Sequence, residues 1–489
     1  MCIADIPNVP PKSTTNSKGE FQFSGVAKGT YFLTAQKAGY AWGGLDRKLN
    51  IAGGSVSDGL TIYLVGGGRL SGKVTTRDGA VVRGARVTCY YKVFKQGIAE
   101  VFPGPNSTTN AAGQYAVEDV PQGEYYLFVA PEKAPLHLTD SAATASDEFR
   151  VAPAPGFYPA GNVLDAAAPI DVKPGTDVSK LDIVLRESPV FRISGKVLPS
   201  ASERIPLAVE LRESTPEIPS GPLLASRAVS APDYRFSFED LPSAQYIIAV
   251  RPAARANTIW GTADVNLASR EVSDLQVVTG EGIEVTGAVR GDPDSLVPVP
   301  AKKLSVRVTN LDIPTASPTE APVLEDGTFV LRGLAPGRAV FEITGLPQSW
   351  YVQCVSISAQ PCSNSILRLS TGAASVHLDA TVASPAASVV GKVLDENGAA
   401  VPAATVLLCP ANPDDGPMRT ARSDGKGSFA FHGLAPGSYS IHAWAEIEAR
   451  RVEDFALVDR NRSTGETVHV TTGETVQKKV VALPGTRAQ

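Results

Sequence analysis

The sequence predicts an all-β chain: a tandem array of antiparallel β-sandwich domains, the first of them truncated. Three observations carry this. A pattern of 15 residues recurs five times with no slip in its offsets. A short apolar strand containing Gly recurs upstream of it. Helical periodicity is scarce, and turn residues punctuate the chain at short intervals.

The pattern reads GSFAFHGLAPGSYSI at Gly427–Ile441. Its other copies are Gly19–Leu33, Gly113–Leu127, Tyr234–Ile248 and Gly327–Phe341. Phe429 with Phe431, and Tyr439 with Ile441, alternate as in strands with one buried face. Pro436 and Gly437 lie between them. Pro lacks a ladder donor and Gly accepts positive φ, so each copy is expected to be a hairpin sending those four side chains into one core.

The second recurring element is LSGKV (Leu70–Val74), ISGKV (Ile193–Val197), VTGAV (Val285–Val289) and VVGKV (Val389–Val393). Turn signals Asp78-Gly79 and Asn397-Gly398 follow two of these, each leading into an apolar strand, Ala85–Cys89 and Ala404–Leu408. Each unit closes on another alternating strand: Leu60–Leu64, Leu181–Leu185, Leu275–Val278, Val376–Ala380 and Val480–Leu483. About seven short strands per unit argue for a sandwich. The expected boundaries are 1–66, 67–187, 188–280, 281–384 and 385–489. The third and fourth units are degenerate, because Tyr234 replaces the initial Gly and Ala339 replaces an aromatic residue. The second holds an extra segment rich in Ala, Pro and Asp, Ala130–Val163, which reads as a surface loop.

In the first unit the pattern begins at Gly19, leaving no room for an opening Gly strand. Met1–Ser13 has no signal-peptide pattern. A lost leader and two lost strands are expected, with residues 1–65 exposing a core face or borrowing a strand.

At 489 residues the chain is too long for one core. A net charge of −5 leaves no electrostatic footprint for nucleic acid. No apolar run approaches the roughly 20 residues of a membrane-spanning helix. The cysteines are Cys2, Cys89, Cys354, Cys362 and Cys409, with no C-x-x-C among them. Cys354 and Cys362 share a unit at close range, as a bridge in an exported protein or as two thiols.

Catalytic chemistry has little to stand on. None of His137, His377, His432, His442 and His469 begins H-x-x-E, and His432 with His442 lacks a third ligand for a shared metal. GGRLSGKV (Gly67–Val74) nearly matches a phosphate-binding loop, but Val74 stands where a hydroxyl is needed and a strand follows. The acidic turns at Asp395 and Asp424 lack the bidentate Glu of a calcium loop. No cofactor is implied.

Taken together, SGKV…DGAVVRGARV…TTNAAGQYAVEDVPQGEYYLFV resembles the bacterial carboxypeptidase regulatory-like domain. This transthyretin-like sandwich is related to the Cna protein B-type and starch-binding-like folds, the latter a carbohydrate-binding-like fold. The last unit, VVGKVLDENGAAVPAATVLL…SDGKGSFAFHGLAPGSYSIHAW, is the best match. The resemblance implies a non-catalytic module of exported bacterial proteins. B-type domains join a first-strand Lys to a last-strand Asn. Here Lys73, Lys196 and Lys392 face last strands without Asn, and Ala288 takes the fourth Lys position.

The expected function is a non-enzymatic scaffold or adhesion-type protein that is secreted, periplasmic or on the cell surface. Its partners would be a polysaccharide or another surface protein, with no nucleic acid and no transmembrane segment. One alternative is an array of carbohydrate-binding modules using Trp42, Trp260 or Tyr158, whose rings would stack on sugars. Another is an accessory subunit of a surface enzyme or transporter. Trp350 and Trp444, in or beside strands, read as core.

Overall fold

In the computed structural model, strands Ser428–Leu434 and Gly437–Trp444 follow one another but do not pair. The first pairs with Ala387–Leu394, the second with Thr405–Pro410 and Glu466–Val470. The repeated pattern is therefore an arch between the two sheets of a sandwich, where a hairpin was expected. Alternation reports which face is buried, and two strands facing each other across a core alternate just as two neighbours in one sheet do. The intended core is intact: Phe429, Phe431, Leu434, Tyr439 and Ile441 all lie in one buried cluster with Val389, Val393 and Val406. Each such side chain contributes about 1.5–3 kcal/mol by leaving water.

The structure describes residues 12–483 with the exception of 46–48, 53–57, 132–150, 162, 200–204, 215–220, 253–260, 281, 294–298, 300–302, 312–317, 358–365, 370–374, 413–415, 448–450, 455–456 and 459–464. The chain divides into two compact units. One comprises Met1–Tyr90, Gly104–Ala142 and Pro153–Glu187; the other comprises Tyr91–Pro103, Ala143–Ala152 and Ser188–Gln489.

Three sandwiches of one design occupy the second unit. In the last, Ser428–Leu434, Ala387–Leu394 and Thr475–Val481 form one sheet. Arg419–Arg422, Thr405–Pro410, Gly437–Trp444 and Glu466–Val470 form the other. The sandwich before it repeats this order with one addition, strand Tyr351–Ile357 outside Ser375–Ala383. The earliest of the three pairs Arg235–Leu241, Phe191–Leu198 and Val272–Val278 against a four-stranded sheet centred on Leu207–Glu213 and Ala244–Pro252. In all three, the strand carrying the recurrent Gly runs parallel to the strand that closes the unit.

That pairing explains the recurrent glycine. A Cβ on Gly72, Gly195, Gly287 or Gly391 would run into the carbonyl oxygen of Leu181, Leu275, Leu378 or Lys478 respectively. Only Gly lets the two backbones approach so closely. A second shared device lies six residues into each arch. Gly25, Asp119, Asp240, Gly333 and Gly433 all have positive φ, between 56° and 72°. In the four complete sandwiches the ladder register shifts just beside this residue, so it is a bulge that turns the chain toward the opposite sheet.

The first unit holds a fourth sandwich, in which Gln114–Val120, Gly68–Thr76 and the short strands Asp177–Val178 and Ile183–Leu185 form one sheet. The other sheet contains a long hairpin, Arg86–Lys95 and Ile98–Thr108, longer than the strand expected at Ala85–Cys89. Its turn residues Gln96 and Gly97 have φ of 49° and 75°, both positive as in a type I′ turn. Ahead of it, Gly29–Tyr31 at the end of the first copy of the pattern pairs with Leu49–Ile51, and Thr34–Ala35 pairs with Gly43–Gly44, while Leu60–Leu64, expected as the closing strand, forms none. In this segment Phe32, Trp42, Tyr63 and Val65 are exposed.

Candidate functional site

The outer face of the sheet built on Gly68–Thr76 carries a polar groove of about 610 Å³. Strand alternation creates its floor. Leu70 and Val74 point inward and are fully buried, so Ser71 and Lys73 point outward. The neighbouring strand adds Gln114 and Ala116, and Ser107 with Thr108 come from the end of the long hairpin. Lys180 and Asp182 close the groove from the loop leading into Ile183–Leu185.

Several of these groups are already engaged. The Arg69 guanidinium donates to Glu118 at 2.8 Å and Asp177 at 3.0 Å, and these bonds hold its pKa above the ordinary value. The Asp182 carboxylate accepts the Lys73 backbone N–H at 2.9 Å. Asn110 accepts from the backbone N–H groups of Ala112 and Gln114, at 2.9 and 3.0 Å, so it shapes the turn beneath the groove. The Tyr115 hydroxyl donates to the Leu181 carbonyl at 2.6 Å, and burial pushes its pKa up. The ammonium groups of Lys73 and Lys180, with Ser107, Thr108 and Gln114, are the donors left facing the groove. Such a surface suits hydroxyls and carboxylates. It places no nucleophile beside a base.

The expected site residues do not converge here. Trp42, beyond the first copy of the pattern, is 58% exposed, and among the described residues no ring stacks on it. Tyr158 is half-buried, and its backbone N–H donates to the Leu127 carbonyl at 2.9 Å. Trp260 lies outside the described residues. Cys354, on the added strand Tyr351–Ile357, is disulfide-bonded, while Cys362 lies outside the described residues. Cys89 and Cys409 are buried free thiols, each pushed up to about 12 by burial. Trp350 and Trp444 are core residues, as expected.

The groups weighed for metal binding are committed elsewhere. His432 and His442 sit on strands of opposite sheets. His432 Nδ1 lies 3.1 Å from Ser388 Oγ, and His442 stacks on Trp444 with centroids 6.0 Å apart. The Asp424 carboxylate accepts N–H bonds from Lys426 and Ser428 at 2.8 and 2.7 Å, which lowers its pKa. The Asp395 carboxylate accepts the backbone N–H groups of Asn397 and Ala399 at 2.9 and 2.8 Å. Among the described residues no three ligands gather for a metal.

The groove was not anticipated. Its sequence signal was faint: two outward residues of a strand, and a hairpin longer than the repeat requires.

The carboxypeptidase regulatory-like domain family matches residues 388–480, the last sandwich. No curated protein matches the sequence. Among solved structures, the chain is similar to the Bacillus anthracis TIE protein, at 11% identity and a TM-score of 0.18, covering 95% of this chain and 76% of that one. It is also similar to a streptococcal ancillary pilin, at 12% identity and a TM-score of 0.19, covering 64% and 98%. Two B repeat units of the collagen binding protein of Staphylococcus aureus match at 12% identity and a TM-score of 0.14, covering 77% and 93%.

Proposed function

We propose that this chain is a non-catalytic, exported scaffold of tandem carboxypeptidase regulatory-like units, with boundaries near residues 66, 187, 280 and 384, that binds a polysaccharide or a surface protein. One observation carries the reading. The shared positions of the repeat are consumed by architecture, and the groove on the sheet built on Gly68–Thr76 is lined largely by polar side chains with no reacting pair among them. The common positive-φ bulge and the common Gly-to-carbonyl approach support one origin for all the units, beyond the last one that the family matches. The disulfide-bonded Cys354, with a bridge to Cys362 as its simplest partner, supports an oxidising location.

Trp42 favours sugar as ligand, since an exposed indole is a platform for a pyranose face. A glycan array probed with the native chain, Trp42→Ala and Lys73→Glu separates the sites. Loss on Trp42→Ala alone assigns binding to the segment around Trp42, and loss on Lys73→Glu alone assigns it to the groove. No bound glycan at all removes the polysaccharide and leaves a protein partner. Labelling of intact cells with a membrane-impermeant reagent tests the location, and absence of label would refute export to the surface.

A further inference from the structure

We propose that the outer edge of strand Thr475–Val481, in the last sandwich, docks an extended acidic segment of a partner protein as one more antiparallel strand. The chain contains its own precedent. Gly287 pairs with Leu378 and Gly391 with Lys478, so Ser375–Ala383 and Thr475–Val481 are equivalent closing strands. On Ser375–Ala383 the edge is occupied: Tyr351–Ile357 pairs there antiparallel, with Cys354 opposite Thr381 and Ser356 opposite Asp379. Val481 is the residue equivalent to Thr381, and Lys479 to Asp379. The same edge of the same fold thus takes a strand of 7 residues in one sandwich and, among the described residues, carries none in the next.

The edge is regular. Ser388–Leu394 and Thr475–Val481 pair through seven consecutive positions with no shift. Its counterpart Val272–Val278 is interrupted by a register shift, with Asp274 at φ 56°, a bulge that blunts pairing. The counterpart in the first unit is only three residues long, and Val184 there already donates to the Pro159 carbonyl. Ser388 N–H donates to the Glu474 carbonyl, and Ala482 N–H to the Leu394 carbonyl. Even-numbered residues between them therefore face the paired strand, and Thr475, Gln477, Lys479 and Val481 turn their N–H and C=O outward. Among the described residues no backbone bond reaches these groups.

The side chains specify the occupant. Val481 is 53% exposed and offers an apolar cross-strand contact. Lys478 and Lys479 lie on the edge strand and Lys392 stands opposite Lys479 on the next strand in; none has a carboxylate in salt-bridge range among the described residues. Lysines on an edge repel basic strands and make pairing with neutral ones costly, because their ammonium groups would lose water without gaining a partner. For an acidic strand the same charges attract, and pairing gains both the ladder and the ion pairs. The inference rests on the sandwich edge and stands independently of the groove and of any sugar.

The test uses the full chain and three capped synthetic heptapeptides: alternating Val and Glu, alternating Val and Lys, and the Val–Glu peptide N-methylated at alternate residues. Calorimetric titration should show binding of the Val–Glu peptide only. Hydrogen exchange should slow at the amides of Gln477, Lys479 and Val481. The double variant Lys478→Glu, Lys479→Glu should lose at least about tenfold in affinity. Gln477→Pro should abolish binding while the fold is kept, because the N–H it removes faces away from Ala387–Leu394. No binding of the Val–Glu peptide, equal binding of its N-methylated form, or protection at other strands would each overturn the proposal.

Discussion

The Asn310 side-chain amide donates to the Ala335 carbonyl oxygen at 3.1 Å, from a position directly opposite Ala339 in the ladder. It also reaches the Pro336 carbonyl at 3.0 Å. In other copies of the arch a tyrosine does this work from its own strand. Tyr31, Tyr246 and Tyr439 each donate to the carbonyl four residues earlier, on Ala27, Pro242 and Ala435, at 2.8 Å. Where Ala339 replaces the tyrosine, the bond is rebuilt from across the sheet.

Removing either version leaves an arch carbonyl without its donor. Tyr439→Phe keeps the ring and loses the bond, and should cost the last sandwich about 1 kcal/mol. Asn310→Ala should cost about 1–3 kcal/mol, because the amide is buried and two carbonyls lose it together. Hydrogen exchange resolved by sandwich checks both. Equal protection in Asn310→Ala and the native chain would show that the amide is dispensable.

The recurrent Gly gives a sharper contrast. Gly398 has φ +82° and no atom within 4 Å of the place a methyl would occupy, so Gly398→Ala meets backbone strain alone. That strain costs about 1 kcal/mol. Gly391→Ala places its methyl against the Lys478 carbonyl and must push two paired strands apart. Its cost should be at least about 3 kcal/mol. Thermal unfolding of the two variants orders them, and similar losses would contradict the close-approach argument.

Much of this fold could be read from residue types. The core positions Phe429, Phe431, Tyr439 and Ile441, and the closing strands of the four sandwiches, follow from alternation and punctuation, whereas Leu60–Leu64, expected as a closing strand, forms none. The bulge was legible too, because its position holds only Gly or Asp, residues that accept positive φ. Pairing was not legible: nothing in Ser428–Leu434 says that its partner is Ala387–Leu394 and not the next strand. The groove was hidden for a similar reason. Lys73 reads as a solvated strand residue until Ser107 and Lys180 are brought beside it by long-range pairing.

Strand Leu207–Glu213 buries charged side chains at alternate positions: Glu210 is 1% exposed and Arg212 is buried as well. Glu210 accepts from Arg251 at 2.6 Å and lies 3.4 Å from Arg212. Glu210→Ala strands two guanidinium groups, one of them buried, and should destabilise this sandwich by about 3–5 kcal/mol. Glu210→Gln keeps an acceptor and should cost less. Chemical denaturation followed by exchange at Val209 and Val250 separates these outcomes, and a near-neutral Glu210→Ala would mean that the pair is solvated.

The last sandwich should weaken in mild acid, and His442 is the reason. The ring is buried, stacked on Trp444, with Gly465 held so close that no side chain fits there. Among the described residues Nδ1 has no hydrogen-bond partner, and Nε2 lies 3.3 Å from Ser440 Oγ. Burial disfavours the imidazolium, so the pKa in the folded chain falls below the ordinary 6.5. The unfolded chain then binds the proton more readily than the folded one. His442 thus contributes its full stability above about pH 6.5 and loses it progressively as the pH drops toward the folded value. His442→Phe keeps a flat ring beside Trp444 and has nothing to protonate. Melting of the native chain and the variant at about pH 7.5 and about pH 5, on either side of the free imidazole range, should show the native transition falling more than that of His442→Phe. Parallel losses in the two proteins would place the acid sensitivity elsewhere.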